Sequence, residues 1–256
     1  MFKHGIDLKV EFNEGFKYNS NSFGPTTEIR YLEDIRKSLT DPDSQGPEAL
    51  YKIAMDIGNK VDYHSIVEHN LLYGSVAYNK GTIGNEPIRS QGHIHAVSPS
   101  CNYSTPEVYE IWSGEAIIYM QEYAKDNPGR CYAIEASVGD VVIVPPNWAH
   151  ATVSASKSEN LIFGAWCVRD FGFEYDDVRE HQGLAWYPIY KNDELLWEQN
   201  SKYLHSKLCI KRARNYSEFG IVQGISIYNQ FVDDNSKFDF VSNPQKYQDI
   251  WETFTP

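Results

Sequence analysis

The stretch SQGHIHA, residues 90–96, carries His93 and His95 two positions apart. Alternate residues of a strand point to the same side of a sheet, so both imidazoles project together into whatever that side encloses. A His-x-His pair by itself more commonly marks satisfied polar residues of a barrel interior than half of a metal site. Its partners decide the reading. Eleven residues separate His95 from Glu107, in PEVYEIWSG, and Gly114 stands seven beyond that carboxylate. GDVVIVPPNWAHATVS, residues 139–154, then supplies Gly139, Pro145, Pro146 and His150. A divalent cation on the wall of a β-barrel needs neutral imidazoles and a carboxylate converging from neighbouring strands. His93 and His95 from one strand, Glu107 from its neighbour and His150 from the opposite half meet that need. Two positions of an octahedron stay open for substrate or water. His4, His64, His69, His181 and His205 have no such context and are expected to be structural.

The composition suits a folded, strand-rich chain. Of 256 residues, 41% are hydrophobic and 14% aromatic, with 18 Tyr and 6 Trp, a level that favours strands over disorder. The formal charge of −12 repels nucleic acid and argues against polybasic docking to a membrane. A phosphorylated substrate therefore has to be captured by local donors. No 7–15-residue apolar signal core stands at the N-terminus and no run of about 18 apolar residues suggests a span, so a soluble cytoplasmic protein is expected. Cys101, Cys131, Cys167 and Cys209 lack CxxC spacing and read as free thiols.

Three segments are expected: an N-terminal helical and strand extension over 1–69, a barrel over 70–190, and a C-terminal extension over 191–256. In the first, PTTEIRYLEDIRKSLTDP predicts a helix capped by Thr26 or Thr27, with Ile29, Tyr31, Leu32, Ile35 and Leu39 on its apolar face and Pro42 at its end. GPEALYKIAMDIGNK predicts a second, from Pro47 to about Gly58. Seven short apolar runs follow, LLYGSVAY, EVYEIW, EAIIYMQEY, CYAIEAS, DVVIVP, HATVSAS and LIFGAWCV, and imply a sandwich or barrel. In the tail, IKRAR reads as a solvated helix face rather than a nucleic-acid patch.

At these residues the sequence resembles the cupins, all-β double-stranded β-helix or jelly-roll barrels with two conserved-spacing motifs. The second motif stands here as Gly139-x5-Pro145-x-Asn147-x2-His150-x3-Ser154, with Asn147 and Ser154 where cupins have Gly and Asn. Glu107-x6-Gly114 keeps the first motif's spacing, while VSPSCNYSTP lengthens the loop after His95 and is expected to bulge at the barrel mouth. More narrowly, RSQGHIHA, EVYEIWSGE, VVIVPPNWAHATV and DFGFEY resemble the cupin-type glucose-6-phosphate isomerases of archaea and some bacteria over residues 70–190. RYLEDIRKSLTD and SNP give a weaker echo.

The resemblance implies that His93, His95, Glu107 and His150 hold one divalent metal per subunit, iron(II) first, with manganese, nickel, cobalt or zinc as the other candidates. It implies that the segment before His93 grips a sugar phosphate: Ser90 by its hydroxyl, Gly92 by its N–H, Tyr109 by its phenol and Ser75 as a second hydroxyl. Arg89 adds charge if it turns inward, although alternation with Ser90 points it away. The activity implied is aldose–ketose isomerisation of glucose 6-phosphate to fructose 6-phosphate in a homodimer, with Glu107 as ligand and base through a cis-enediol, or as ligand only in a hydride shift. Cys167 and Phe173 depart from the tyrosine and histidine of that family. Another metal-dependent sugar cupin and a non-catalytic sugar-phosphate sensor stay open. Trp112, Trp148 and Trp166 flank motif residues and read as packing rather than pocket wall.

Overall fold

The computed structural model describes residues 2–256. All seven runs expected between Leu71 and Val168 are strands: Leu71–Tyr78, Glu107–Ser113, Ala116–Gln121, Cys131–Ala136, Val141–Val144, Ala149–Ser154 and Leu161–Val168. They divide between two sheets. A six-stranded sheet runs in the order Val141–Val144, Glu107–Ser113, Leu161–Val168, Leu71–Tyr78, Ala49–Met55, Glu28–Tyr31. A four-stranded sheet runs Ala149–Ser154, Ala116–Gln121, Cys131–Ala136, Leu208–Arg212. The core between them joins Tyr109, Ile111, Val142 and Phe163 of the first to Ile118, Met120 and Ile134 of the second.

Alternation is weak in these strands because both faces are covered. Glu107 to Trp112 are all buried. Tyr109 and Ile111 face the inter-sheet core, whereas Val108 and Trp112 face a second core built with the C-terminal Ile227, Tyr228, Phe231, Phe238 and Phe240. The helix Ile227–Asp233 that carries three of these is capped by Ser226, whose Oγ accepts from the Asn229 N–H at 3.2 Å.

Three helical expectations are corrected. Ala49–Met55, expected within a helix from Pro47 to Gly58, is a strand paired on one edge with Leu71–Tyr78 and on the other with Glu28–Tyr31. Ala, Leu, Lys and Met are good helix formers, but that preference is a weak prior beside two strand pairings. Glu28–Tyr31 is likewise strand, so the expected capped helix shrinks to Leu32–Ile35 and a 3₁₀ turn at Arg36–Ser38. Thr27 caps nothing; its Oγ1 accepts from the Phe16 N–H at 3.0 Å. IKRAR is extended rather than helical and only partly solvated: Leu208–Arg212 lies parallel to Cys131–Ala136 at the sheet edge, where the exposed Arg212 discourages further pairing.

The segments on either side of 70–190 therefore build part of the barrel, two strands of one sheet and the last of the other. The long loop after His95 is a hairpin, Val97–Ser98 against Tyr103–Ser104, tied down where Asp170 accepts from Ser98 Oγ at 2.8 Å and from the Ser100 N–H at 2.9 Å. All four cysteines are free thiols. Among the described residues, no helix is long and apolar enough to cross a membrane.

Candidate metal centre and active site

His93 and His150 sit opposite each other on an antiparallel bridge: the His93 N–H donates to the His150 carbonyl at 3.1 Å and the reverse bond is 2.9 Å. His95 pairs with Phe173, and Glu107 stands opposite Val144 in the six-stranded sheet. Ser104 ties these parts together, its Oγ donating to the His95 carbonyl at 2.8 Å and accepting from the Asn147 N–H at 2.9 Å. Asn147 itself takes φ +66°, the left-handed conformation that explains a Gly or Asn there.

The side chains converge as the sequence predicts. One ligand atom from each of His93, His95, Glu107 and His150 lies within 4.8 Å of all the others. Glu107 Oε2 is 3.2 Å from His95 Nε2 and 3.3 Å from His150 Nε2, and accepts from Tyr109 Oη at 2.7 Å. The other nitrogens are already engaged: His95 Nδ1 lies 2.8 Å from the Thr105 carbonyl and His150 Nδ1 3.1 Å from that of Trp148. Nδ1–H donation to a carbonyl leaves the Nε2 lone pair facing inward, the orientation a metal-binding histidine needs.

Electrostatics agree with a cation there. Burial pushes the His93 imidazole well below its usual pKa and lowers that of His150, so both are neutral donors. Burial alone would raise the Glu107 carboxyl, but the His150 and His95 imidazoles packed against it hold it well below the usual carboxylate range. His93 Nε2 and His95 Nε2 are buried without a hydrogen-bond partner. Orphaned nitrogens beside a buried carboxylate are costly, and a divalent ion would satisfy all of them. The donor set fits the implied metal.

Two of the four, His93 and Glu107, stand on the wall of a cavity of about 290 Å³. Ser90, Gln91, Tyr109, Thr152 and Tyr78 supply its polar side; Ile53, Met55, Val76, Phe171 and Phe173 supply an apolar one. A larger hollow of about 510 Å³ beside Lys211 and Arg214 has none of the four ligands on its walls.

Ser90 is well placed, its Oγ accepting from the Thr152 N–H at 3.1 Å and keeping its own proton to give. Ser75 is not: fully buried, it donates to the Phe163 carbonyl at 2.7 Å and is absent from the cavity wall. It lies one position from Val76 on the same strand, on the other face. Gly92, at φ +91°, turns its Cα toward Leu184, where a Cβ would stand 2.9 Å from Cδ1. Arg89 points away, as alternation requires, in a buried pair with Glu86 at 2.7 Å. Tyr78 and Thr152 escaped the sequence reading, although alternation from Val76 and from His150 marks both. Trp112, Trp148 and Trp166 are absent from the cavity wall. The Phe173 ring lies tilted against His93 with centroids 4.4 Å apart, and Cys167 is a buried thiol, absent from the cavity wall, whose pKa burial and the nearby Glu107 push well up.

Two facing sheets with three histidines and a glutamate converging inside define a cupin with a candidate metal centre. A family model described as Glucose-6-phosphate isomerase (GPI) matches residues 33–206, and the chain belongs to the cupin-type glucose-6-phosphate isomerase family. It is 24% identical over 208 residues to Glucose-6-phosphate isomerase of Thermococcus litoralis, covering 79% of this chain and 98% of that one. With Glucose-6-phosphate isomerase of Pyrococcus furiosus the identity is 26% over 209 residues, covering 79% and 99%. Among solved structures, vicilin from Corylus avellana (hazelnut) is similar over 51% of this chain and 33% of its own, at 11% identity and a TM-score of 0.37.

Proposed function

We propose that this chain is a metal-dependent aldose–ketose isomerase that interconverts glucose 6-phosphate and fructose 6-phosphate. The observation that carries the reading is the convergence of His93, His95, Glu107 and His150, two of which stand on the wall of a cavity that also offers hydroxyl donors. Family membership supports it.

A divalent ion bound by the four residues supplies Lewis acidity toward the oxygens at C1 and C2 of the open-chain sugar; iron(II) is the first candidate, before manganese, nickel, cobalt and zinc. Ser90, with Thr152 and Tyr78 beside it, donates to oxygens of the sugar phosphate. Gly92 acts by letting the backbone run close under Leu184 rather than by a side chain. Glu107 is the catalytic carboxylate: as base it takes the proton from C2 and returns it to C1 through a cis-enediol, while a second proton passes from the C2 hydroxyl to O1. Its depressed pKa weakens it as a base, while the Tyr109 hydrogen bond fixes its orientation. If hydrogen moves instead as a hydride from C2 to C1, Glu107 serves only as ligand. A homodimer in the cytoplasm is the form this reading expects.

One alternative has a specific observation behind it. The Phe173 ring occupies the space over His93, which suits a protein that binds a sugar phosphate without turnover. The deciding experiment strips the purified chain with a chelator and restores iron(II), manganese, nickel, cobalt and zinc in turn while following fructose 6-phosphate formation. Metal-restored turnover supports the isomerase; retained metal binding without turnover favours the sensor.

A further inference from the structure

The residues after Ser206 lie beyond the stretch that carries the family likeness, and from Tyr216 to Phe254 they cover the outer face of the six-stranded sheet. Tyr216, Phe219 and Phe254 share one core with Val108 and Trp112, on the strand that bears Glu107, and with Ile143, on the strand that runs into Pro145. Glu107 and His150 belong to different sheets, so their separation depends on what holds the two sheets in place.

The C-terminal segment is tied to both by specific polar contacts. Behind Glu107 the tie is Glu110, three residues further along the same strand, on the opposite face and 1% exposed. Its carboxylate accepts from the Ile227 N–H at 2.8 Å, and Trp166 Nε1, on the neighbouring strand, donates to the Ile227 carbonyl at 3.1 Å. The sheet thus holds both backbone polar groups of one residue of the segment. Behind His150 the tie runs through Trp148. Arg130, at the start of the strand Cys131–Ala136, donates from Nη1 to the Phe254 carbonyl at 3.2 Å, with its guanidinium 5.2 Å from the centre of the Trp148 ring. The Trp148 carbonyl is the group that lies 3.1 Å from His150 Nδ1 and turns Nε2 inward. Trp251 closes the same side, bordering a hollow of about 190 Å³ with Pro145, Pro146 and Trp148.

We propose that the C-terminal segment is a buttress of the metal centre, with Glu110 and Arg130 as the positioning residues through which it keeps Glu107 and His150 in register for one ion. Neither residue touches the ion. A site assembled from two sheets binds tightly only while its ligands are held in place beforehand, and groups that orient ligands from outside are worth about tenfold or more in metal affinity. This inference rests on the reading of the four residues as a metal centre, not on the substrate.

The test titrates the chelator-stripped full chain with cobalt(II), read by competition with a chromogenic chelator and by the visible absorption of the bound ion. Arg130→Ala and Glu110→Ala are each expected to weaken cobalt(II) binding about tenfold and to change that absorption, whereas Glu110→Gln, which keeps an acceptor for the Ile227 N–H, binds close to the parent. Arg130 is exposed, so its metal-free variant should keep a Tm near the parent's. A merely structural role would lower the metal-free Tm and leave the affinity and spectrum of the folded chain unmoved. Affinity within about twofold of the parent and an unchanged spectrum in Arg130→Ala and Glu110→Ala overturn the buttress alone. Should Glu110→Ala fail to fold, Arg130→Ala decides by the same criterion. A parent chain that binds no cobalt(II) removes the metal centre itself and the buttress with it.

Discussion

Tyr109 Oη donates to Glu107 Oε2 at 2.7 Å, the same oxygen that lies 3.2 Å from His95 Nε2 and 3.3 Å from His150 Nε2. Strand alternation puts Tyr109 on the Glu107 side of the sheet, so one strand presents both the carboxylate and the group that orients it.

Removing that donor should be felt in rate. Tyr109→Phe is expected to lower kcat/KM about tenfold to a hundredfold, the range of one hydrogen bond to a charged group, with metal content kept. Ser90→Ala should raise KM for glucose 6-phosphate several-fold instead. Steady-state kinetics on matched, metal-quantified samples separates the two effects.

The histidines should decide metal retention. His93→Ala and His150→Ala are each expected to bring bound metal to near zero by elemental analysis. A metal at a thousand times its Kd stabilises the parent by about 4 kcal/mol, so the parent's Tm should rise on loading and the variants' should not. Full metal content in either variant would show that the four side chains are not the ligands.

Glu110 predicts a pH dependence of stability. Its carboxyl accepts from the Ile227 N–H at 2.8 Å and from Trp112 Nε1 at 3.2 Å, and burial, only partly opposed by those bonds, raises its pKa from 4.5 to about 8. Between pH 4.5 and about 8 the folded chain keeps a proton that the unfolded chain has released. The Glu110 contribution is therefore full below 4.5 and is lost as pH rises toward 8, at a slope of about 1 kcal/mol per pH unit. Urea unfolding of the parent and of Glu110→Gln at pH 5.5 and pH 8 should show a difference between them that changes across this interval; a constant difference would contradict it.

Arg89 should matter to folding rather than to substrate. Arg89→Ala leaves Glu86 buried without its partner and is expected to cost about 3–5 kcal/mol by denaturant titration. A fully stable variant that had lost sugar-phosphate affinity would place Arg89 in the pocket after all.

The sequence was most legible where function and fold coincide locally. The ligands His93, His95, Glu107 and His150 could be read because each stands in a short motif whose spacing is set by one strand or one tight turn, such as the left-handed Asn147 before His150. The seven strands from Leu71 to Val168 could be read because Gly, Pro and Asn bound short runs rich in β-branched and aromatic residues.

Tertiary structure alone decided the rest. Ala49–Met55 has helix-forming residues and becomes a strand because both its edges find partners. Ser75 and Val76 differ in which face of one sheet they occupy, and that depends on what covers each face. Arg30 and Arg179 share a hollow although one stands on the early strand Glu28–Tyr31 and the other on the helix Asp176–Glu180. Local sequence records backbone preference and short-range spacing; it does not record which distant segments pair, and those pairings assemble the two sheets, aim Ser75 away from the cavity and bring Arg30 and Arg179 to one hollow.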